Sequence, residues 1–365
     1  MDMLDSARKA INEIDKEMAE LFVKRMQASA QVGQYKLSHG LPVYDAEREA
    51  EVIRRNSTRV EDEALRAYYV NFLQTCMDLS KSYQSQIQNG LRVAYSGVEG
   101  AFAFIAAKRI FPSGNLCSFG DFKSAYNAVV NGECDCCVLP IENSYAGEVS
   151  QVIDLMFKGT LYINGVYDLE ITQNLIGLEG ASRSDIKTVV SHPQALMQCA
   201  EYIKKRGLKT VEANNTALAA KYVADLGDKT VAAIASEDTA ALYGLEMLEK
   251  SINENSNNTT RFAVFSRVEK KSKVDDSSMQ SILVFTVKNE AGALAKAVTI
   301  IGNSGFNMRT LRSRSMKKLL WQYYFYVEVD GNAHSEKGQE MLKALSSCCD
   351  RLRIVGTFAH ETDLK

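Results

Sequence analysis

The sequence predicts a chain of three units: an all-helical N-terminal segment, an α/β middle and a small α+β sandwich near the C-terminal end. Three observations predict it. Only Gly33, Gly40 and Pro42 fall before Gly90, while the other 20 of the 22 glycines lie from Gly90 onward, and a stretch so poor in backbone breakers is helical. From there to residue 268, short apolar runs alternate with helix-like stretches. Beyond the polar segment Glu269–Ser278 come six elements in the order βαββαβ. The 365 residues allow two or three domains at about 150 residues each, and the predicted units are residues 1–89, 90–268 and 279–365.

Composition narrows the function classes. Hydrophobic residues are 46%, charged residues 24% and the formal net charge is −2, which fits a globular chain and not a disordered or collagen-like one. No apolar run approaches the roughly 18 residues that span a bilayer, and MDMLDSARKA lacks an apolar signal core. A cytoplasmic protein with no membrane partner is expected. Near-neutral charge without a basic block argues against nucleic acid as a partner. Eight cysteines in so long a chain do not read as a disulfide scaffold. Cys134 and Cys137 have CxxC spacing, but no second pair and no nearby histidine accompany them. A buried structural role is expected there and at Cys348-Cys349, with no metal and no cofactor.

In the first segment, Leu4, Ala7, Ile11, Ile14, Met18 and Leu21 alternate steps of three and four, the stripe of an amphipathic helix. The same phase continues through Arg25, Ala28, Val32 and Lys36, placing two cations on the stripe. They either snorkel at its edge or bind an anion. After Leu41-Pro42-Val43, a second helix puts Asp45, Arg48, Glu49 and Val52 on one face, which reads as a solvated ion-pair face or as part of a site. A third helix buries Leu65, Tyr69, Phe72, Cys76 and Leu79, and beside that row runs Leu73, Met77, Ser80, Gln84. Residues 3–37 as one helix would span about 50 Å, too long for two short helices to cover. An intertwined dimer would cover it.

The set Arg8, Arg25, Lys36, Asp45-x-x-Arg48-Glu49, Ser80 and Gln84 resembles the active-site set of the all-helical chorismate mutases, with no member missing. The resemblance covers nearly all of residues 1–89. It implies an all-α intertwined dimer in which Arg8 enters the partner's pocket. The implied reaction is a one-step pericyclic rearrangement of the dianion chorismate to prephenate. Such a reaction needs no nucleophile or metal, only a compact geometry and stabilised charge on the breaking ether oxygen. Arg8 and Arg25 would then clamp carboxylates, and Lys36 and Gln84 would donate to the ether oxygen. Glu49 would take the substrate hydroxyl, Asp45 and Ser80 would orient groups, and Arg48 would support a carboxylate.

In the middle segment the expected strands are Arg92–Tyr95, Cys136–Leu139, Thr188–Val190 and Val231–Ile234. The expected helices include Ala101–Ile110, Phe122–Val130, Gln194–Lys204 and Ala217–Val223. This alternation predicts a largely parallel sheet, with ligands gathered at loops beyond strand C-termini. Three loops hold polar clusters: Pro140-Ile141-Glu142-Asn143-Ser144, Ser191-His192-Pro193-Gln194 and Asn258-Thr259-Thr260-Arg261-Phe262. Each alone reads as turn and cap chemistry.

Together, and with Ser236-Glu237 and Leu242-Tyr243-Gly244-Leu245, they resemble prephenate dehydratase over residues 90–268. The resemblance implies a two-lobed α/β architecture like that of periplasmic solute-binding proteins. It also implies conversion of prephenate to phenylpyruvate with loss of CO2 and water. Thr260 would be the catalytic donor to the departing hydroxyl. Asn143, Ser144, Gln194 and Phe262 would bind substrate, Glu142 and His192 would orient those groups, and Arg261 would hold a carboxylate or brace the loop. One stretch departs from the family. Where a Gly-Pro-x-Gly-Ser/Thr-Phe/Tyr-Ser/Thr run is usual, this chain has Gly97-Val98-Glu99-Gly100-Ala101-Phe102-Ala103, with alanine at both hydroxyl positions.

In the tail, strand Ser281–Val287, helix Ala291–Asn303, strands Asn307–Ser315 and Leu320–Val329, helix Ser335–Ser347 and strand Leu352–Phe358 predict a ferredoxin-like sandwich. Gly292-Ala293-Leu294 and Asn307-Met308 resemble an ACT domain, which in mutase–dehydratases binds phenylalanine at a dimer interface. These five residues are the expected phenylalanine contacts, and Trp321 is the expected reporter of binding. The usual Glu-Ser-Arg-Pro reads here Arg312-Ser313-Arg314-Ser315, a change bearing on affinity, ligand orientation or coupling.

The expected protein is thus a bifunctional enzyme acting on chorismate and prephenate, with phenylalanine as allosteric ligand, assembled as a homodimer or dimer of dimers. Two alternatives stand beside it. One is a dehydratase using arogenate. The other is a mutase fused to a weakened regulatory or solute-binding module, favoured by the Gly97–Ala103 loop and opposed by Thr260-Arg261-Phe262.

Overall fold

A computed structural model describes residues 2–255, 257–270, 278–316, 323–361 and 364. The breaker-poor segment folds as three helices, α1 (Met3–Ser38), α2 (Ala46–Ser57) and α3 (Glu63–Asn89). Their ends follow from local chemistry. Asp45 and Asp62 cap α2 and α3 by accepting from the backbone N–H groups of Arg48 and Ala64, and α3 stops at Gly90, whose φ is +71°. The chain divides into two compact units, Met1–Arg92 and Val93–Lys365.

Within the helical unit the burial differs from expectation. Ile11 and Ile14 are each 56% exposed and Leu21 is 63% exposed, so the apolar stripe of α1 is uncovered within one chain. The same holds for α3, where Leu65, Phe72 and Leu79 face outward and only Cys76 of that row is buried. The row that packs on α1 is instead Met77, Ser80 and Gln84, and it meets Ser29 and Gly33. Gly33 permits the close approach, because a Cβ there would stand 3.1 Å from Gln84 Cγ. The reason is length: 36 residues make about 54 Å of helix at 1.5 Å per residue, and α3 covers only its C-terminal part.

The second unit begins with β1 (Arg92–Ser96), α4 (Phe102–Ile110), β2 (Asn115–Phe119), α5 (Phe122–Val130), β3 (Cys136–Asn143), β4 (Gly147–Glu148), α6 (Ser150–Lys158) and β5 (Tyr162–Glu170). The chain then enters a second lobe. That lobe comprises β6 (Asn174–Gly177), β7 (Thr188–Ser191), α7 (Pro193–Gln198), α8 (Ala200–Arg206), β8 (Lys209–Glu212), α9 (Thr216–Leu226), β9 (Val231–Ala235), α10 (Glu237–Tyr243) and β10 (Glu246–Glu249), with sheet order β10-β6-β9-β7-β8. It returns through β11 (Thr259–Ser266).

The sheets are mixed, not largely parallel. β1–β3, β7–β8 and β7–β9 are parallel, but the returning strand β11 runs antiparallel to both β3 and β5. A chain that leaves a sheet and comes back from another lobe enters it in the opposite sense. The expected helix Gln194–Lys204 is two helices, broken at Cys199 (φ −115°, ψ 18°). Burial pushes the Cys136 thiol up to about 12 and the Cys137 thiol well above its ordinary value, so neither is a thiolate at neutral pH.

The tail is β12 (Met279–Thr286), α11 (Ala293–Asn303), β13 (Met308–Ser315), β14 (Tyr323–Asp330), α12 (Glu336–Ser346) and β15 (Arg351–Glu361). The six elements occur in the expected βαββαβ order, and the strands pair antiparallel as β13-β14-β12-β15. Trp321, and most of the segment read as a linker, lie outside the described residues.

Alternation sets the two faces of this tail sheet. Leu283, Phe285, Phe325 and Val327 pack on Ala297, Ile301, Met341 and Leu345 of the helices. Ile282, Val284, Tyr324 and Tyr326 face the other way, into one core with Tyr126, Phe157 and Phe265. Phe157 and Tyr324 stack there at 4.1 Å. The sheet is also continuous with the first lobe, since β15 pairs parallel with β5 at His360–Val166 and Glu361–Tyr167.

That junction depends on a residue without a side chain. A Cβ on Gly356 would stand 2.1 Å from the Ile163 carbonyl oxygen, and backbone cannot move aside cheaply. Gly356→Ala should therefore destabilise the second unit by roughly 1–3 kcal/mol. A lowered denaturant midpoint for that unit, with the helical unit unchanged, is the expected reading; an unchanged midpoint would contradict the close sheet junction.

Candidate active sites

The helical unit contains a cavity of about 360 Å³ lined by Arg25, Lys36, Asp45, Arg48, Glu49, Ser80, Lys81 and Gln84, with Val32, Val52 and Met77 among its apolar walls. Seven of the eight sequence-predicted residues of this unit thus share one cavity. Arg25 comes from the C-terminal half of α1 and Lys36 from its last turn, Arg48 and Glu49 from the first turn of α2, and Ser80 and Gln84 from successive turns of α3. Arg8 is the exception, because it lies 17 residues before Arg25, about 25 Å along the helix axis.

Hydrogen bonds hold the lining in place. Arg25 Nη1 donates to the Cys76 carbonyl at 2.8 Å and to the Ser80 hydroxyl. Lys36 Nζ donates to the Val43 carbonyl at 2.6 Å, tying the end of α1 to the loop before α2. Gln84 Nε2 donates to Ser29 Oγ at 3.1 Å, while its buried Oε1 has no partner. Arg48 is paired outward with Glu51. Four cations and two carboxylates line the cavity, a positive balance suited to a small dianion.

The second unit has a cleft of about 630 Å³ between its lobes, lined among others by Ser96, Gly97, Ala101, Asn143, Gln173, His192, Gln194, Thr216, Thr260 and Phe262. Its centre is a pair of residues opposite one another on β3 and β11, Asn143 and Thr260. The Asn143 carbonyl oxygen accepts from the backbone N–H groups of Tyr145 and Ala146 at 3.0 and 2.8 Å. Its Nδ2 therefore faces the other way and donates to Thr260 Oγ1 at 2.9 Å and Asn258 Oδ1 at 2.9 Å. With its oxygen already accepting from Asn143, the Thr260 hydroxyl is set to donate its own proton elsewhere.

Not all the expected substrate contacts reach this cleft. Glu142 and Arg261 sit one residue from the central pair and so project from the opposite face of the strands. Arg261 Nη1 lies 3.0 Å from Glu328 and 3.3 Å from Glu142. Burial works against its charge, but Glu328 and Asp168 outweigh that and raise its pKa. Ser144 braces the loop instead, donating to the Asn257 carbonyl at 3.0 Å and accepting from Thr259 N–H at 2.9 Å. His192 lines the cleft and caps α7 through Nδ1, which accepts from Gln194 N–H.

No lysine or arginine occurs among the described lining residues. The lining includes the first turns of α4, α5 and α9, contributing Phe102 and Ala103, Phe122, and Thr216, and α5 and α9 are capped by Asp121 and Asn215. Helix N-termini carry partial positive charge and outward N–H groups. Ala101, at the cap of α4, has no side-chain acceptor for them.

In the tail, Gly292, Ala293 and Leu294 begin α11, with Gly292 at φ +84°. Asn307 precedes β13 and donates to Asp330 at 2.8 Å, and Met308 is opposite Val329. Register separates the two groups. Met308 lies at the Gln280–Asp330 end of the sheet, whereas α11 follows the Thr286–Tyr324 end. Eight residues of β12 put roughly 23 Å between those ends.

The family model of chorismate mutase type II matches residues 7–85, and that of prephenate dehydratase matches residues 93–270. A bifunctional chorismate mutase/prephenate dehydratase of Neisseria gonorrhoeae is 30% identical over 98% of this chain and 97% of its own length. The chain belongs to the bifunctional chorismate mutase/prephenate dehydratase family. An arogenate dehydratase/prephenate dehydratase of Arabidopsis thaliana is 30% identical over 86% of each chain. The prephenate dehydratase of Arthrobacter aurescens, solved in complex with L-Phe, superposes with a TM-score of 0.68 at 26% identity, covering 74% of this chain and 90% of that one. Among the described residues, no helix is long and apolar enough to cross a membrane.

Sequence reasoning missed Lys81 in the mutase cavity. Its Nζ lies 2.8 Å from Glu49 and 3.0 Å from Asp78. Burial lowers the pKa of this ammonium, but the two carboxylates outweigh that and hold it above the ordinary value. The available signal was its spacing, one residue after Ser80 and three before Gln84. Replacing it by Met leaves Glu49 without its cation, so mutase kcat/KM should fall at least roughly ten-fold, about 1.5 kcal/mol. Chorismate consumption by Lys81→Met protein measures this; wild-type turnover would show that Glu49 needs no such partner.

Proposed function

We propose that the helical unit rearranges chorismate to prephenate and that the two-lobed unit converts prephenate to phenylpyruvate. The observation that carries the reading is the convergence of separated motifs on two open clefts, one cationic and one built around Asn143 and Thr260. In the mutase cavity, Arg25 and Arg48 bind carboxylates, and Lys36 and Gln84 donate to the ether oxygen as charge develops there. Glu49, held by Lys81, accepts the ring hydroxyl. Asp45 fixes the start of α2, and Ser80 steadies Arg25. Nothing in this chemistry needs a covalent intermediate.

In the dehydratase cleft, Asn143 donates into the Thr260 oxygen, which orients and polarises the Thr260 O–H toward the departing hydroxyl. Departure of water and of CO2 is driven by aromatisation of the ring. Gln194 and the first turns of α4 and α9 serve the two carboxylates of prephenate, and Phe262 packs on the ring. Glu142, Ser144 and His192 position rather than touch substrate. The alanines of the Gly97–Ala103 loop remove two hydroxyls and leave the N–H groups of α4 to the ligand. Prephenate is favoured over arogenate because the same chain carries the cavity that makes it.

Assembly follows from what one chain leaves uncovered. A second copy laid along α1 covers the Ile11–Leu21 stripe and brings its Arg8 to the cavity that this chain's Arg8 cannot reach. The tail is read as an ACT domain binding phenylalanine through Gly292, Ala293, Leu294, Asn307 and Met308. Since the two groups occupy opposite ends of one tail sheet, a site using both is shared between copies. Phenylalanine regulates only by preferring one arrangement of that pair.

Two substitutions separate the activities. Arg25→Ala should lower chorismate turnover by roughly 10²–10³-fold and leave dehydration of supplied prephenate intact. Thr260→Ala should consume chorismate normally and accumulate prephenate. Following both products in one reaction checks this; a variant losing both activities equally, or neither, would contradict the assignment.

A further inference from the structure

Arg312 is the residue at which the tail departs most from the family pattern, and its side chain does not face the tail helices. On β13 it is opposite Tyr326, and Arg314 is opposite Tyr324. Both tyrosines belong to the sheet face that packs on the first lobe. The two arginines therefore point away from α11 and Gly292, toward the dehydratase lobe.

What they meet there is the hairpin that carries Asn143. Glu142 and Glu148 are directly opposite one another on β3 and β4, and the next pair is Asn143 with Gly147. Two carboxylates facing across a ladder repel. Arg312 spans them, with Nη2 on Glu142 and Nη1 3.5 Å from Glu148. Arg314 binds Glu148 as well, together with Asp154 at 3.0 Å. Glu142 also meets Arg261 at 3.3 Å, and Arg261 is held by Glu328 at 3.0 Å. The network is part-buried, with side-chain exposures of 29% for Arg312, 28% for Glu142 and 5% for Glu328, so it is less screened than a surface pair.

One residue step separates this network from the proposed chemistry. Glu142 and Arg261 lie under β3 and β11, while Asn143 and Thr260 lie above them in the cleft. The same hairpin supplies the Tyr145 and Ala146 N–H groups that aim the Asn143 amide. Repulsion between Glu142 and Glu148 thus acts on the hairpin that aims this amide at Thr260.

We infer that Arg312 is a positioning residue of the dehydratase, supplied by the tail: by neutralising Glu142 and Glu148 together it holds the 142–148 hairpin closed and the Asn143 amide on Thr260. The inference rests on the reading that Asn143 and Thr260 carry the dehydratase chemistry. It makes dehydration depend on how the tail sheet sits against the lobe. It also gives the changed Arg-Ser-Arg-Ser motif a task other than ligand contact.

The test uses the full chain with Arg312→Met and Arg312→Lys, and Thr260→Ala in parallel. For Arg312→Met, dehydratase kcat should fall about ten-fold or more, because misplacement of about 1 Å is enough for such a loss. KM should stay within about two-fold. Arg312→Lys should recover part of kcat, and the Tyr145 and Ala146 amides should exchange with solvent faster in Arg312→Met than in the parent. Mutase turnover in the same samples reports intact protein. Wild-type kcat in Arg312→Met, or a raised KM with unchanged kcat, overturns the positioning role while Thr260→Ala still loses dehydration. Wild-type dehydration by Thr260→Ala overturns the underlying reading instead.

Discussion

The second unit is organised around one hydrogen bond, from the Asn143 amide to the Thr260 hydroxyl across β3 and β11. Its direction is set by the two backbone N–H groups that occupy the other side of the amide. A threonine hydroxyl is a weak acid, so its usefulness as a donor depends on having its own oxygen already engaged. That requirement needs β3 and β11 adjacent and in register, and hence a strand that leaves the lobe and returns antiparallel. Alternation then consigns Glu142 and Arg261 to the opposite face, where charged side chains must find partners. The tail sheet supplies those partners in Arg312 and Glu328.

The helical unit solves a different problem by different means. Its substrate is a dianion, and its cavity concentrates cations in a chain whose total charge is slightly negative. Three helices suffice because the cations sit near the end of α1 and the start of α2, and because Gly33 lets α3 approach closely enough to present Gln84. The unpaired acceptor of Gln84 and the uncovered stripe of α1 both belong to this unit. By contrast, the dehydratase cleft has no cation among its described lining residues and is lined instead by residues from the first turns of α4, α5 and α9.

Much of this was legible in the sequence. The glycine boundary located the change of architecture because helices exclude glycine, whereas strand-end loops require it. The order of the tail elements was legible because each carries its own period. What was not legible concerned facing. Periodicity ranks Leu65, Phe72 and Leu79 as a buried row, but it cannot say whether the cover comes from the same chain. A motif such as Glu-Asn or Thr-Arg names neighbours in sequence, and in a strand neighbours point to opposite faces, so the sequence left Arg261 between holding a carboxylate and bracing the loop, and only the strand pairing places it on Glu142 and Glu328. A lysine on a helix is ordinarily solvated, and only the ion pair of Lys81 with the part-buried Glu49 distinguishes it. The arginines at 312 and 314 were visible as departures from a pattern, but their direction depended on which face of the tail sheet meets the lobe.

The proposed dehydratase chemistry depends most directly on which face of the β3–β11 pair meets the substrate. A crystal structure of the protein with a prephenate analogue retaining the ring hydroxyl measures that. The expected result has the hydroxyl within hydrogen-bonding distance of Thr260 Oγ1, with Asn143 still donating to that oxygen and Arg261 still on Glu328 and Glu142. Arg261 turned into the cleft onto a ligand carboxylate, with Thr260 away from the hydroxyl, would contradict it.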